Sequence, residues 1–245
     1  MKVVIVVQAR MTSTRLPGKV LKEVLGKSLL EYLIERLRRV RLTDEFVIAT
    51  TINETDDAIV SLCRRLAVPV MRGSELNVLS RYYEAATAQH ADVVVRITSD
   101  CPAIDPQVID TVIAFFLDNR DKYDYVSNTL KPSFPYGMAV EVFSYASLAD
   151  AYREATNGPE LEHVTPFIYL RPDRYRIGHF IHSEDLSRHR WTVDTPEDFE
   201  LIRRLIEENY PINPEFGMRE VLDTLQTHPD WVSLNAHIAQ KKLGD

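Results

Sequence analysis

The feature that most constrains the fold of this chain is a regular alternation of short β-branched runs and longer amphipathic segments in its first hundred residues. The first run, residues 3–7, reads VVIVV. Such a run is typical of a strand that is buried on both faces. Similar runs predict strands at 45–50, 68–71 and 92–97, and apolar residues at helical spacing predict helices that begin at Ser28 and cover about 55–66 and 78–89. The alternation predicts an α/β fold with a mostly parallel sheet and helices on both of its faces.

The pattern changes after residue 105. Asp105 and Pro106 predict the start of a helix that reaches about residue 117. The next segment is rich in proline and aromatic residues, and we expect residues 128–143 to form an arm that protrudes from a single domain spanning 1–245. Other patterns predict strands at 138–143, 175–180 and 190–193, and helices at about 146–156, 160–170, 196–209 and, in the C-terminal part, 217–242.

Composition excludes several classes of protein. Lys and Arg total 29 against 36 Asp and Glu, a net charge of −7, whereas a nucleic-acid coat needs clustered positive charge. No apolar run approaches the ~20 residues that span a bilayer, and the first run is too short for a signal peptide. Cys63 and Cys101 are too few for a disulfide framework or a structural zinc site. We therefore expect a cytoplasmic protein with no nucleic-acid and no membrane partner.

The loop that follows the first strand carries three cations, Arg10, Arg15 and Lys19. Ligands of parallel sheets bind beyond the carboxyl ends of the strands, and three cations in that position suit a polyanion such as a triphosphate. A solvated basic loop is the alternative. The chain has no P-loop, because the first glycine that Gly26-Lys27-Ser28 would need is replaced by leucine at position 21.

Two acidic residues follow predicted strands. Asp100 comes shortly after the strand at 92–97, and Asp194 ends the one at 190–193. Carboxylates at the rim of a sheet commonly hold Mg²⁺ that bridges ligand phosphates. Each could instead cap a turn or a helix, although Thr195 can fill the capping role beside Asp194. Cys101 would need an activating histidine to act as a nucleophile, so we interpret it as a small neutral side chain.

Residues 8–21 resemble the nucleotide-binding signature of the cytidylyltransferases that activate acidic sugars. These are the synthetases of CMP-Kdo and CMP-sialic acid and, most similar, the family named for a spore coat polysaccharide protein. The resemblance covers nearly the whole chain, since further matching segments follow in the family's order: MRGSELNVLSRYYEA (71–85), RITSDCPAIDP (96–106), PYGMAVEVFS (135–144), LEHVTPFIY (161–169), RWTVDTPED (190–198) and HPDWVSLNAHI (228–238).

The resemblance implies a nucleotide-diphospho-sugar transferase fold, which is a GT-A-like, Rossmann-like three-layer sandwich with one strand reversed. It implies transfer of CMP from CTP to an acidic sugar of the nonulosonic or ulosonic type, with Mg²⁺ and release of pyrophosphate, for surface polysaccharide or glycan biosynthesis. It also implies a homodimer formed with the arm. Another nucleotide such as GTP, or a non-catalytic nucleotide-binding role, remains the alternative. A glycosyltransferase of this fold typically has an Asp-x-Asp motif, which is absent from the sequence.

The resemblance also assigns roles to individual residues. Those that match catalytic positions are Arg10, Arg15, Lys19 and Asp100. Those that match nucleotide-binding positions are Ala9, Arg10, Ser13, Arg15, Lys19, Arg72, Ser74 and Ser99. Asp100 and Asp194 match the metal-binding carboxylates, and Glu141, Glu162 and His163 match positions on the sugar side.

Three positions depart from the family's pattern. Asn77 and Ser80 stand where the family usually has acidic residues, and Ala139 stands where it usually has aspartate. These segments lie near the sugar in the family. The departures therefore leave the sugar open, while the nucleotide end keeps the family's residues.

Overall fold

A seven-stranded sheet forms the centre of the computed structural model, which describes residues 1–240. The strands are β1 (Val3–Gln8), β2 (Glu23–Val24), β3 (Lys27–Ser28), β4 (Glu45–Thr51), β5 (Val70–Gly73), β6 (Val93–Thr98), β7 (Tyr125–Ser127), β8 (Glu141–Ser144) and β9 (Ile177–His179). The α-helices are α1 (Leu29–Leu37), α2 (Asp57–Arg65), α3 (Val78–Ala88), α4 (Pro106–Asp118), α5 (Tyr145–Glu154), α6 (Gly158–His163), α7 (Pro166–Tyr169), α8 (Pro196–Asn209) and α9 (Met218–Thr227). Short 3₁₀ turns cover Lys19–Leu21, Glu54–Asp56 and Pro229–Leu234.

The sheet has the order β5-β4-β1-β6-β8-β7-β9. The first four strands in this order, β5, β4, β1 and β6, are parallel to one another. β8 runs antiparallel to both of its neighbours, β6 and β7. This arrangement confirms the predicted mostly parallel α/β sheet with one reversed strand. β2 and β3 form a separate hairpin.

Two apolar clusters, one on each face of the sheet, make the three layers. Val3, Ile5 and Val7 of β1 pack into the first cluster with α1, α2, α4 and α8. Val4 and Val6 pack into the second with α3, α5 and α7. All five side chains are buried, and full burial of a side chain of this kind contributes about 1.5–3 kcal/mol. The unbroken apolar run at 3–7 therefore requires the central position that the strand occupies.

Three side-chain caps fix helix starts that the sequence predicted. The Ser28 hydroxyl accepts a hydrogen bond from the backbone N–H of Glu31, 3.2 Å away. The Asp105 carboxylate does the same for α4, and Thr195 does so for α8. Such a cap contributes about 1 kcal/mol.

Several predicted elements differ in the structure. The strand expected at 138–143 begins only at Glu141, and β7 was not predicted. Residues 190–193 make one isolated bridge, between Arg190 and Tyr136, instead of a strand. The helix expected at 160–170 is divided into α6 and α7, because Val164 has a positive φ of 71°. The C-terminal range predicted as helical, 217–242, contains α9 and the 3₁₀ turn Pro229–Leu234 instead of a second α-helix, and positions 241 and 242 lie outside the described residues.

Residues 128–143, for which we expected a protruding arm, lie against the body over most of their length. Phe134, Met138 and Val140 are buried in the core. The Asn128 side chain donates to the carbonyl of Met138 at 2.7 Å and accepts from the N–H of Val140 at 2.8 Å, which closes the segment onto itself. A role of this segment in a homodimer stays a prediction. Within residues 1–240, no helix has both the length and the apolarity needed to cross a membrane.

Candidate active site

A cleft of about 560 Å³ opens where β1 and β6 end. The loop after β1, the segment between β7 and β8, α6 and the residues before α8 form its walls. This is the carboxyl edge of the parallel strands, where ligands of such sheets bind. The predicted site residues that line it are Ala9, Arg10, Ser13, Arg15, Lys19, Ser99, Asp100, Glu141, Glu162, His163 and Asp194.

Lys19 lies between the carboxylates of Asp100, which follows β6, and Asp194, which precedes α8. Its Nζ is 3.0 Å from Oδ2 of Asp100, 2.8 Å from Oδ1 of Asp194 and 2.7 Å from the carbonyl oxygen of Val193. An ammonium group has three N–H donors, so these three acceptors use them all. Burial lowers the pKa of Lys19, but the two carboxylates raise it by more, and the net shift is upward. The side chain is therefore a permanent cation in the cleft.

Asp194 is held from its other side by two arginines. Its Oδ2 lies 3.0 Å from NH2 of Arg15 and 3.0 Å from NH2 of Arg190. Arg190 in turn binds both oxygens of the fully buried Asp198, at 2.8 and 3.0 Å. Asp198 also accepts a hydrogen bond from the backbone N–H of Asp194. Arg190 and Asp198 thus orient Asp194, a role that the sequence analysis did not assign to either residue.

Asp100 lies two residues after the end of β6 and beside Lys19 in the cleft. The Thr98 hydroxyl donates to its Oδ1 at 2.6 Å. Burial raises the pKa of Asp100, but Lys19 and Thr98 lower it by more, so the carboxylate is charged at neutral pH. Burial, together with the Asp100 charge, raises the pKa of the Cys101 thiol. The thiol therefore stays protonated and uncharged, in agreement with the interpretation of Cys101 as a small neutral side chain.

The pair Asp100 and Asp194 fits a Mg²⁺ ion. An oxygen from each lies within 3.0 Å of the Lys19 nitrogen, so both face one point that already holds a cation. Carboxylate oxygens are the donors that Mg²⁺ prefers, and one or two of them usually suffice when phosphates and waters complete the shell. In the described part of the chain, no group of three or more His, Cys, Asp or Glu side chains could hold a metal by itself. A metal here would need ligand oxygens as well.

Glu141 supports the floor of the cleft through an ion pair with Arg96, whose NH1 contacts Oε2. Its Oε1 accepts hydrogen bonds from Tyr125 and Thr165, each at 2.6 Å. Both oxygens are thus engaged by protein groups. Arg96 lines the cleft as well and was missed by the sequence analysis. The arrangement gives Glu141 the role of positioning Arg96 on the side where the sugar was expected.

Arg81 is a second arginine that sequence reasoning missed. It is buried in the cleft wall, and its NH1 donates to the carbonyl of Ala49 at 3.2 Å. Its Nε has no hydrogen-bond partner within residues 1–240, and no acidic side chain in that range pairs with it. Burial lowers the pKa of Arg81, and the charge of Arg10 lowers it further. A buried cation that no acidic side chain contacts is costly, so this wall favours an anionic ligand or one with hydrogen-bond acceptors.

Gly73 makes the path of Arg81 possible. A Cβ at this β5 position would lie 2.8 Å from Cγ of Arg81, closer than such atoms approach. The glycine of the segment RGS therefore has a packing role, and the arginine that reaches the cleft comes from the helix that follows it.

Arg72 and Ser74, which were predicted to bind the nucleotide, lie outside the cleft lining. Arg72 donates to the carbonyls of Thr51 and Asn53, at 2.8 and 2.7 Å, and pairs with Asp57. Ser74 accepts a hydrogen bond from the N–H of Asn77 at 3.1 Å. Both side chains hold the backbone around β5.

The departures at Asn77 and Ser80 also lie at the start of α3. The Asn77 side chain caps the helix by accepting from the N–H of Ser80 at 2.8 Å. Ala139, in contrast, lines the cleft. Of the three departures, only Ala139 changes the surface that a ligand would meet.

Val164 makes the turn that directs α6 into the cleft. Its φ and ψ are 71° and −56°, and the N–H of Thr165 donates to the carbonyl of His163 at 2.8 Å. This is a γ-turn in its rare, strained form, at a fully buried β-branched residue. The turn places Glu162 and His163 on one side of the cleft wall and Thr165 beside them. Burial lowers the pKa of His163, which favours its neutral form.

Comparison with known proteins places the chain in a family. The sequence profile of a family described as cytidylyltransferase matches residues 4–216. The spore coat polysaccharide biosynthesis protein SpsF of Bacillus subtilis is 35% identical over 236 residues, which cover 93% of this chain and 95% of that protein. A 3-deoxy-manno-octulosonate cytidylyltransferase of Solibacter usitatus is 27% identical over 243 residues, with 84% of this chain and 95% of the relative covered.

A solved structure supports the same grouping. A cytidylyltransferase from Leptospira borgpetersenii matches this structure with a TM-score of 0.91 and 29% sequence identity, over 99% of this chain and 100% of that chain. The family suspected from the motifs is thereby confirmed. With two facing carboxylates and a basic loop gathered in one cleft, this chain belongs to the cytidylyltransferase family and is a nucleotidyltransferase.

Proposed function

We propose that this cytidylyltransferase transfers CMP from CTP to an acidic sugar and releases pyrophosphate, with Mg²⁺ as its cofactor. The observation that carries the proposal is the convergence of Asp100 and Asp194 on one point beside the cations of the loop after β1. Carboxylates next to arginine and lysine are the combination that a metal-bound triphosphate requires.

The chain's own cations would bind and orient the triphosphate. Arg10 and Arg15 are about one-third exposed and line the cleft, so their guanidinium groups can reach phosphate oxygens. Arg15 also contacts Asp194, which links the phosphate-binding loop to the metal-binding carboxylates. Asp100 and Asp194 would hold Mg²⁺, which when bound neutralises phosphate charge and favours attack at the α-phosphorus.

In the reaction, a hydroxyl oxygen of the sugar forms a bond to the α-phosphorus of CTP and releases its proton to solvent, and the bond from that phosphorus to the pyrophosphate oxygen breaks. Negative charge develops on the departing pyrophosphate, and Arg10, Arg15 and Lys19 stabilise it. Removal of one such contact typically lowers kcat by about 10²–10³-fold.

The sugar would occupy the part of the cleft between α6 and β8. Arg96, His163, Thr165 and Tyr169 line this part and offer a positive charge and several hydrogen-bonding groups. These groups suit a hydroxyl-rich acid. The similarity to a 3-deoxy-manno-octulosonate cytidylyltransferase supports a sugar acid as the acceptor class, and the similarity to SpsF supports a role in surface polysaccharide synthesis. We further propose that the protein works as a homodimer in the cytoplasm.

The test is a measurement of pyrophosphate release with CTP, UTP, ATP and GTP, each offered with a panel of ulosonic and nonulosonic acids. We expect turnover with CTP and Mg²⁺ and none with chelator. Asp100→Asn should abolish turnover while its circular dichroism spectrum matches that of the unaltered protein. Turnover with GTP instead would reassign the donor. The absence of turnover, combined with the absence of thermal stabilisation by any nucleotide, would favour a non-catalytic role.

A further inference from the structure

Lys19 occupies the space in which the proposed metal site would assemble. Its three N–H donors are all directed to protein oxygens, two of them on the metal-binding carboxylates. In this conformation Lys19 has no donor left for a phosphate. Binding of a triphosphate by Lys19 and binding of a cation by Asp100 and Asp194 therefore both require the ammonium group to move.

The surrounding charges oppose the displacement of Lys19 by a metal ion that arrives without a nucleotide. Arg15 and Arg190 both contact the second oxygen of Asp194. An ion that displaced Lys19 would therefore lie near these two arginines and near the displaced ammonium group. Burial weakens the screening of these repulsions by water. The side chains of Lys19 and Asp194 are each close to nine-tenths buried.

A nucleoside triphosphate changes this balance. Its phosphates give Lys19 new acceptors outside the carboxylate pair, and its negative charge offsets that of the entering ion. The same ligand thus removes the ammonium group from Asp100 and Asp194 and supplies the remaining oxygens that Mg²⁺ needs.

We propose that Lys19 is an internal cation that keeps free divalent ions out of the site, so that metal and nucleotide bind together. The proposal rests on the proposed function, since it uses the same carboxylates and the same triphosphate. It assigns Lys19 a role in selecting nucleotide-bound metal ions over free ones. This role is separate from the contact of Lys19 with the departing pyrophosphate.

The test measures Mn²⁺ binding to the full chain by electron paramagnetic resonance, with and without CTP and in the absence of any sugar. We expect the unaltered protein to bind Mn²⁺ at least tenfold more tightly with CTP than without it. Lys19→Met should bind Mn²⁺ without CTP at least tenfold more tightly than the unaltered protein does. Lys19→Arg, which keeps the charge, should exclude free Mn²⁺, and Lys19→Met combined with Asp100→Asn should lose the binding.

Two further variants sharpen the comparison. Lys19→Gln retains N–H donors without the charge and carries the test if Lys19→Met does not fold. Arg15→Met removes a cation that, within residues 1–240, contacts Asp194 and not Asp100, so its effect on Mn²⁺ affinity should be smaller than that of Lys19→Met.

The outcomes separate this inference from the proposed function. Equal Mn²⁺ affinity of the unaltered protein and of the Lys19→Met and Lys19→Gln variants without nucleotide would overturn the role of Lys19 and leave the metal site intact. Failure of the unaltered protein to bind Mn²⁺ even with bound CTP would overturn the metal site itself.

Discussion

Arg96 and Glu141 form a buried ion pair across adjacent antiparallel strands, at directly opposite positions of the β6–β8 ladder. The pair lies beneath the cleft and is surrounded by Tyr125 and Thr165, which donate to the same carboxylate. It links the reversed strand to the parallel part of the sheet and fixes the guanidinium group of Arg96, which lines the cleft.

Glu141→Ala should lower the free energy of unfolding by about 3–5 kcal/mol, because it leaves the buried charge of Arg96 without its partner. Urea unfolding followed by circular dichroism measures this change. The double variant Glu141→Leu with Arg96→Met removes both charges and should recover part of the loss. Additive losses in the double variant would show that the two side chains do not act as a pair.

Asp198→Ala should also be strongly destabilising, by about 3–5 kcal/mol, because Arg190 then remains buried without its main partner. At temperatures where the variant is folded, kcat should fall, since Asp194 loses its orienting contact. The adjacent Glu197→Gln is the matched control, because that exposed side chain lies in the same helical turn and its loss should leave stability nearly unchanged. Similar unfolding curves for both variants would contradict this account.

Gly137→Ala should be more harmful than an alanine at another glycine with positive φ. Gly137 has a φ of 106°, and a Cβ would lie 2.6 Å from the carbonyl carbon of Trp191, which is backbone and has little room to move. Gly26 has a φ of 76° with nothing within 4 Å of its Cβ position, so Gly26→Ala should cost only about 1–2 kcal/mol of backbone strain. Thermal unfolding of the two variants separates the two causes, because Gly26→Ala introduces backbone strain alone and Gly137→Ala adds the clash with Trp191. Equal melting temperatures would show that the clash has no cost.

Arg81→Met should separate ligand binding from stability. Arg81 pairs with no acidic side chain of residues 1–240, so its replacement by an apolar side chain of similar length should leave the free energy of unfolding unchanged or raise it. Affinity for CTP, measured by calorimetry, should fall at least tenfold if the guanidinium group contacts the nucleotide. A destabilised variant with unaltered CTP affinity would make Arg81 a structural residue.

Stability should decrease as the pH falls below about 6.5, the ordinary pKa of histidine. Burial lowers the pKa of His163 and of His189, so the unfolded chain binds these protons more tightly than the folded one. Their contribution is therefore complete above pH 6.5 and decreases as the pH falls toward the lowered folded values. Urea unfolding at pH 7.5 and 5.5 measures the loss, which should be smaller in His163→Gln. A stability that rises on acidification in this range would contradict the direction of the shifts.

The first half of the fold could be predicted because its patterns are local. The β-branched runs and apolar periods that define β1, α1, β4, α3 and β6 are continuous in sequence, and the position of Asp100 shortly after β6 follows from them. β7 escaped prediction because its three residues include a single β-branched side chain, Val126, and no apolar run surrounds it. Val164 escaped because nothing in a β-branched side chain indicates a left-handed backbone.

The location of the site at the carboxyl ends of the parallel strands could be predicted from the sequence. The side chains that enter the cleft could not all be predicted. Residues 71–85 contain both Arg72 and Arg81, and the tertiary packing at Gly73 decides that Arg81 enters the cleft. In the same way, the pairing of Arg190 with Asp198 depends on a loop conformation that spacing alone does not define. Predictions for single residues therefore failed where the direction of a side chain depends on a distant neighbour.

The γ-turn at Val164 has a consequence for how this cleft can diverge among relatives. It separates two helices of six and four residues, neither of which is long enough to persist without its contacts to the body. The opposite wall is built on the central strands and on buried ion pairs, where most substitutions would damage the core. Substitutions in the short helices can remodel this wall of the cleft while the opposite wall is preserved, so one scaffold can accommodate different ligands at one wall without a change at the other.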